Sequence, residues 1–398
     1  MAARITSFAD LIAPVDEVAF FAGVQDRQPL HIPAPAADKF AAAMSWAHLN
    51  ALLNMSAIWS PNTFAMVLDR KPIPSDQFTI APEDRDKRPS RQPDAAQVKA
   101  LLRRGAAIVL NDIETLTPGI ADVCNALEAR FRGRAQANLY CSWEAHQAFD
   151  VHFDTHEVFA AHIEGEKVWR VYEGRVDHPI AHPAYKQLPR EYHEKHRGKV
   201  LMEVTLRPGD LLYIPRGQYH DALASAPGSI HIAFGLTHVI GFDVMQVVFE
   251  RAMQDPLFRH NLPLPEHGRP ALVAHLRALG ARLAAIAAED AVAEAVSAFR
   301  EGFGVARGGF DLPGDALQRR YDVTARDLVV ARQDGRPVLR SAKGAVPIPP
   351  AFEAAVTWVA GRRQFSAEEF ATAFPALGPG GCGKLLADLA AMKVIAAA

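Results

Sequence analysis

From Ser7 to about Leu53, apolar residues recur at helical spacing, broken by the segment RQPLHIPAP. That pattern predicts short helices around an extended piece near Leu30 to Ile32. The stretch from Glu83 to Asp94 is charged and proline-bearing, as a surface loop is. A helix is expected over Ala95 to Arg103, then a strand, AAIVL, and a second helix near Ala121 to Arg132. At Gln136 the period shortens. QANLYCSW, FDVHFD, EVFAAHIEG, KVWRVYEG, LMEVTLRPGD, LLYIPRG and SIHIAFGL are short runs bounded by Gly, Pro or Asp. Their spacing predicts an all-β sandwich or barrel. One charged insertion, AYKQLPREYHEKHRGK, is expected as an exposed excursion between strands.

After about His238 the helical period returns. Leu272, Val273, Leu276, Leu279, Leu283 and Ile286 form a wide apolar stripe, suited to a helix that faces a core or a second subunit. The last segment, from Ser341, predicts three helices: PPAFEAAVTWVAG, SAEEFATAF and CGKLLADLAAMKVI. Pro349 and Ser366 serve as start signals, at the first helical position and the N-cap respectively. There is no internal repeat.

A chain of 398 residues is long enough for two or three domains. Its formal net charge of −2 gives no global attraction for nucleic acid or anionic lipid. Cys124, Cys141 and Cys382 are scattered, with no CxxC pair, and read as free thiols in a reducing compartment. Asp10, Asp16 and Glu17 interrupt the apolar N-terminus, which argues against a signal peptide. No apolar run looks long enough to span a bilayer. The expectation is a cytoplasmic protein with no membrane partner.

The chemistry concentrates in VHFDTH. Side chains alternate along a strand, so His152, Asp154 and His156 share one face there. An imidazole and a carboxylate two residues apart can hold one metal ion, given a third ligand from a neighbouring strand. RPGDLLYIPRGQYH offers it in His220, which stands 66 residues after Asp154 and follows the Pro215-Arg216-Gly217 turn. That stretch resembles the second motif of the cupin barrel, with Gly209, Pro215, Gly217 and His220 in register. The motif's later asparagine is absent; Ala224 stands there. Two histidines and one carboxylate leave three positions open, as in non-haem Fe(II) oxygenases. A fourth protein ligand would close the site, so His156 is assigned to the pocket wall. With sixteen histidines in the chain, a lone HxD is weak evidence; the agreement of strand, turn and distant histidine is what makes it strong.

The wider context is similar to the ribosomal oxygenase branch of the JmjC-domain oxygenases. Members carry a run close to HxDxxEVFxxQxEGxKxWRxY. His152, Asp154, Glu157, Val158, Phe159, Gly165, Lys167, Trp169, Arg170 and Tyr172 match it, and FFAGVQDRQPLHIP is similar to the family's entry segment. The resemblance implies an α+β protein built on a double-stranded β-helix, the cupin or JmjC jelly roll. N-terminal helices would precede it, then a helical middle region for dimerisation and a winged-helix-like C-terminal domain. The corresponding divisions are residues 1–240, 241–340 and 341–398. It implies Fe(II), 2-oxoglutarate and O2 as cofactor and co-substrates, with His152, Asp154 and His220 on the metal and in catalysis. Lys167, fifteen residues after His152, would pair with the distal carboxylate of 2-oxoglutarate, and Asn138 and Tyr140 would line its pocket. As plainer alternatives, Lys167 is a solvated turn lysine, and Asn138 and Tyr140 satisfy buried backbone groups.

Two departures stand out. The usual glutamine is His162, which adds a titratable group near the pocket, and a serine common on the last barrel strand is Ala233. The excursion from Tyr185 to Lys199, with Arg190, Glu191, Glu194, Lys195 and Arg197, borders the substrate mouth or is merely a solvated loop. The implied activity is hydroxylation of an amino-acid side chain in a protein, by family default a ribosomal one, by a homodimer. Alternatives are a dedicated peptide substrate or a metal-binding cupin regulator that binds DNA; histone demethylation fits the motifs least. Against DNA stands the last segment's charge, a net of only +1: Lys343, Arg362, Arg363, Lys384 and Lys393 against Glu353, Glu368, Glu369 and Asp388.

Overall fold

The short runs after Gln136 pair into two antiparallel sheets. In the computed structural model, which describes residues 4–82, 91–143, 150–224, 228–305, 307, 319–325, 328–333, 335–341 and 344–398, the larger sheet has eight strands. Their order is Leu30–Ile32, Leu211–Ile214, Glu157–Glu164, Ser229–Thr237, Arg134–Ser142, Ala107–Leu110, Phe64–Leu68 and Lys71–Pro72. The smaller sheet orders Val200–Leu206, Lys167–Arg175 and Gln218–Ala224. Val158 and Ala160 of the first meet Trp169 and Val171 of the second in one apolar cluster. This is the expected jelly-roll arrangement.

Alternation along the strand Arg134–Ser142 explains both of its faces. Ala137, Leu139 and Cys141 are buried in the main core, whereas Gln136, Asn138 and Tyr140 line a cavity between the sheets. The apolar face is covered by the helices Phe8–Ile12, Glu17–Gly23 and Pro118–Phe131. Phe8, Phe20, Phe131, Phe159 and Tyr213 meet there with ring centroids 5.0–6.4 Å apart, mostly edge-on or tilted. The Pro118–Phe131 helix starts on Thr117, whose side chain accepts from the Ile120 amide, with Pro118 in its first turn. Polar residues therefore face inward and apolar ones outward, the inverse of a barrel filled by its own core.

The larger of two compact units runs from Met1 to Arg307 and ends in the helices Gly241–Ala252, Gly268–Ala287 and Asp290–Glu301. Val248, Ala252, Ile286 and Val292 form their small core. The predicted apolar stripe divides: Ile286 is buried, whereas Leu272 and Leu276 are exposed. Contrary to the expectation from sequence, Pro265–Ala287 is long and apolar enough, by length and composition alone, to cross a bilayer. Its arginines Arg269, Arg277 and Arg282 are what broke the run in the sequence; Arg282 pairs with Asp255 at 2.5 Å.

The smaller unit is Gly308–Ala398. The helical region starts at residue 241 as expected, but the boundary expected at residue 340 falls instead at 307, and the described residues between 320 and 340 form strands. Arg320–Val323, Val329–Gln333, Arg336–Ser341 and Gly344–Pro347 are strands. Tyr321, Leu339 and Ile348 share a core with Val356, Phe365, Phe370 and Leu389, so these strands need the terminal helices to bury their apolar face. The three terminal helices form as expected, at Glu353–Ala360, Ala367–Ala373 and Gly378–Ala391. Ser366 caps the second in a reciprocal arrangement with Glu369. Pro349 instead precedes a short 3-10 turn, Pro350–Phe352, one turn ahead of the first helix. Most of the charged loop predicted from Glu83 lies outside the described residues; Gln92–Pro93 at its end pairs with Thr79–Ile80.

Candidate metal centre and its cavity

The ligand segment is less regular than its sequence predicts. His152 forms an isolated bridge with His220, and Asp154 lies outside any strand. Three backbone bonds hold the segment: His152 N to His220 O (3.1 Å), His220 N to His152 O (2.8 Å) and Gly217 N to Asp154 O (2.9 Å). The Gly217 turn needs a positive φ, 83°, and a Cβ there would lie 2.0 Å from the Val176 carbonyl oxygen. The alternation survives without the ladder. Val151 and Phe153 are buried against Tyr172 and Tyr219, and the ligand side chains point the other way into the cavity.

His152, Asp154 and His220 each offer one ligand atom, and these lie within 4.8 Å of one another. His220 Nε2 is 3.4 Å from Asp154 Oδ2. The Nδ1 atoms of His152 and His220 face the Asp150 and Gln218 carbonyl oxygens at 2.8 and 3.0 Å. With Nδ1–H donating there, each Nε2 lone pair is left for a metal ion. Burial, reinforced by His152, pushes His220 down to about 4, so it stays neutral, the form that ligates. Burial opposes the charge on Asp154, but His156, His152, His220 and Lys186 outweigh it and keep the carboxylate ionised. The donor set suits a divalent transition-metal ion with open positions.

The triad opens onto a cavity of about 300 Å³, small-ligand size. Register sorts its walls into tiers. Tyr140 and His231 lie opposite one another on adjacent strands, and Asn138 and Ala233 form the next row. Gln136, Gly235 and Val158 follow. On the other sheet Lys167 is followed by Trp169, paired with Ala222, and by Val171, paired with His220. Metal and lysine therefore occupy opposite ends of one cavity.

Lys167 is only 5% exposed, and burial pulls its ammonium down to about 8, with no carboxylate among the described residues acting on it. A buried cation without a counter-ion is costly, so the solvated-turn alternative fails and an anionic ligand is what would complete the site. Asn138 Oδ1 accepts from the Asp112 amide at 3.1 Å, so Asn138 satisfies backbone and lines the cavity at once. Tyr140 is pushed up to about 12, chiefly by burial, and so remains a neutral hydroxyl.

His156 lines the cavity beside the triad without joining it, as assigned. It occupies the space left by Gly235, where a Cβ would sit 2.6 Å from the ring. His162 does not line the cavity. It is fully buried, with Nε2 on the Gly165 carbonyl at 3.0 Å. The excursion is two short helices, Pro183–Lys186 and Arg190–His196. Tyr185 and Leu188 pack behind the ligand segment, and Lys186 is close enough to act on Asp154, so this part borders the metal. Arg190, Glu191, Glu194 and Lys195 are exposed, as the solvated reading has it, while Arg197 lies over the Tyr172 ring at 4.7 Å. The sequence reading passed over Trp169 as a cavity wall, and His231 altogether. The alternation that placed Asn138 and Tyr140 applies equally to His231 and Ala233.

Residues 111–242 match the JmjC domain family. The chain is 27% identical over 269 residues to Ribosomal oxygenase 1 of Danio rerio, covering 65% of this chain and 46% of that protein. It is 25% identical over 269 residues to the bifunctional lysine-specific demethylase and histidyl-hydroxylase NO66 of Drosophila persimilis, covering 65% and 36%. It thus spans less than half the length of these curated relatives. Among solved structures, E. coli ycfD superposes with a TM-score of 0.51 at 16% identity, over 96% of this chain and 98% of that one. The complex of YcfD, a ribosomal oxygenase from Escherichia coli, with cobalt and succinic acid gives 0.50 at 17% over the same shares. These two likenesses carry the fold.

Proposed function

This chain is a JmjC-domain protein related to the ribosomal oxygenases, and on that premise we propose that it is an Fe(II)- and 2-oxoglutarate-dependent oxygenase that hydroxylates a side chain of a ribosomal protein. The observation that carries the proposal is one cavity with a three-ligand metal face at one end and a buried, uncompensated lysine at the other. A 2-oxo acid with a distal carboxylate fits both ends at once. The solved complex of YcfD with cobalt and succinic acid shows a related fold taking a metal and a dicarboxylate.

Bound iron with 2-oxoglutarate and O2 supplies an oxidant able to insert oxygen into a C–H bond. The rest is the work of the chain. His152, Asp154 and His220 would hold the metal ion at the edge of the cavity. Lys167 anchors the distal carboxylate by a charge-assisted bond. Ala222, Ala233 and Gly235 keep the space between the ends free, and Trp169 and Val158 line it with apolar surface. His156 and Lys186 flank the metal end, where an incoming side chain is positioned.

Phe242, Met245 and Phe249 on one helix and Leu272 and Leu276 on another are exposed apolar residues, and they support a homodimer through this region. Three terminal helices sharing one core with short strands support a winged-helix-like fold for the smaller unit. Incubating the protein with Fe(II), 2-oxoglutarate and ribosomal proteins is expected to form succinate and add the mass of one oxygen atom to one of them. Succinate without any modified ribosomal protein points to a dedicated peptide substrate. Absence of 2-oxoglutarate binding to the metal-loaded protein overturns the oxygenase reading.

A further inference from the structure

Lys167 by itself is an incomplete carboxylate site. An ammonium is a compact charge with rotatable donors and does not orient a planar carboxylate. The same tier of the cavity holds a directional group that the motif does not specify. His231 is 3% exposed, lines the cavity, and has an Nδ1 atom with no hydrogen-bond partner among the described residues. Its ring lies flat on Tyr140, with centroids 4.8 Å apart and planes 8° apart, and edge-on to Trp169 at 5.3 Å and 84°. It stands on the strand Ser229–Thr237, which is paired on both sides. Two aromatic walls and a central strand fix its plane. Burial, with Lys167 close by, keeps the imidazole neutral, so it offers one N–H without adding a second cation. One row nearer the metal, Ala233 has no hydroxyl to donate, so His231 provides a donor one step deeper.

Resting on the oxygenase reading above, we propose that His231 is a co-substrate-selecting residue whose imidazole donates an N–H to the distal carboxylate held by Lys167, making the inner end a two-point clamp. The test is binding to the full chain loaded with Co(II), measured by calorimetry for 2-oxoglutarate and for 2-oxobutanoate, which has the same chelating end and no distal carboxylate. His231→Phe keeps the stacked ring and removes the N–H, and His231→Gln restores a donor. The expected result for H231F is about tenfold weaker 2-oxoglutarate binding, the loss of one hydrogen bond to a charged group. Binding of 2-oxobutanoate and Co(II) stays unchanged, and H231Q lies within about threefold of the wild type. If H231F does not melt cooperatively, H231L carries the same expectation. Unchanged 2-oxoglutarate binding in the donor-free variant overturns the role of His231. So does equal weakening of both acids, which would mean that the ring only supports the cavity. A wild-type protein that binds Co(II) but not 2-oxoglutarate overturns the oxygenase reading and this role with it; binding lost only in the variants separates the two.

Discussion

At the metal end of the cavity, His152 and Asp154 sit on an irregular segment joined to the fold by one bridge and a few backbone bonds. At the inner end, Lys167, Tyr140 and His231 stand within regular strands, with Tyr140 and His231 opposite one another in register. At the metal end Asp154 has partners of its own, three imidazoles and Lys186, that favour its ionised form. The inner end holds a cation with no acid beside it among the described residues. One end is electrostatically complete without a small organic ligand and can tolerate local irregularity. The other is incomplete without an anion and relies on rigid strands to stay that way.

Removing a metal ligand separates the ends most sharply. His152→Ala or Asp154→Ala is expected to weaken Mn(II) binding on the order of a hundredfold or more, followed by electron paramagnetic resonance, and to abolish succinate formation. Melting of the metal-free protein should shift by only a few degrees, since the segment contributes few ladder bonds. Retained metal affinity breaks the assignment of the outer end.

Lys167→Ala should leave Mn(II) binding intact and weaken 2-oxoglutarate binding roughly ten- to hundredfold, the worth of a charge-assisted bond. The same lysine burdens the ligand-free fold. Its pKa falls from 10.5 to about 8 on folding, so the unfolded chain binds a proton more tightly than the folded one. The penalty, about 3 kcal/mol, is full below pH 8 and fades as pH rises towards 10.5. Ligand-free Lys167→Met is therefore expected to be more stable than the wild type at pH 7, with the gap closing across that window in denaturant titrations. A pH-independent gap would mean that packing, and not charge, is what the lysine costs.

Gly235→Ala probes the join between the ends. Its Cβ meets the His156 ring, so a loss of about 1 kcal/mol is expected, relieved when His156→Ala is combined with it. Additive effects would show that the ring is free to move. The smallest effect belongs to the excursion's surface: Arg190 reaches Asp150 and Glu194 only at 3.8 Å, and Arg190→Ala should change stability by no more than about 0.5 kcal/mol.

Several features were legible in residue order because they depend on short-range physics. Alternation named the barrel strands, the Gly217 turn marked the approach to His220, and two-residue spacing put His152 and Asp154 on one side. The strand Gln218–Ala224 was not recognised, because its centre is the ligand His220 and its ends merge with turns. The strands of residues 320–347 escaped for another reason. Their apolar positions are few, and they become a core only against helices that follow in the chain. The small unit's boundary was misplaced with them.

Sequence by itself picked out His152, Asp154 and His220 as the candidate ligand set, the class of barrel and, through resemblance, Lys167 as a candidate anchor. Tertiary structure alone decided that Lys167 has no counter-ion among the described residues, that His156 stays off the triad against Gly235, and that His231 faces a cavity. The reason is the same in each case. Period two tells which residues share a face, but whether that face meets solvent, a packed core or an enclosed space depends on the opposing sheet, whose residues lie far away in the chain.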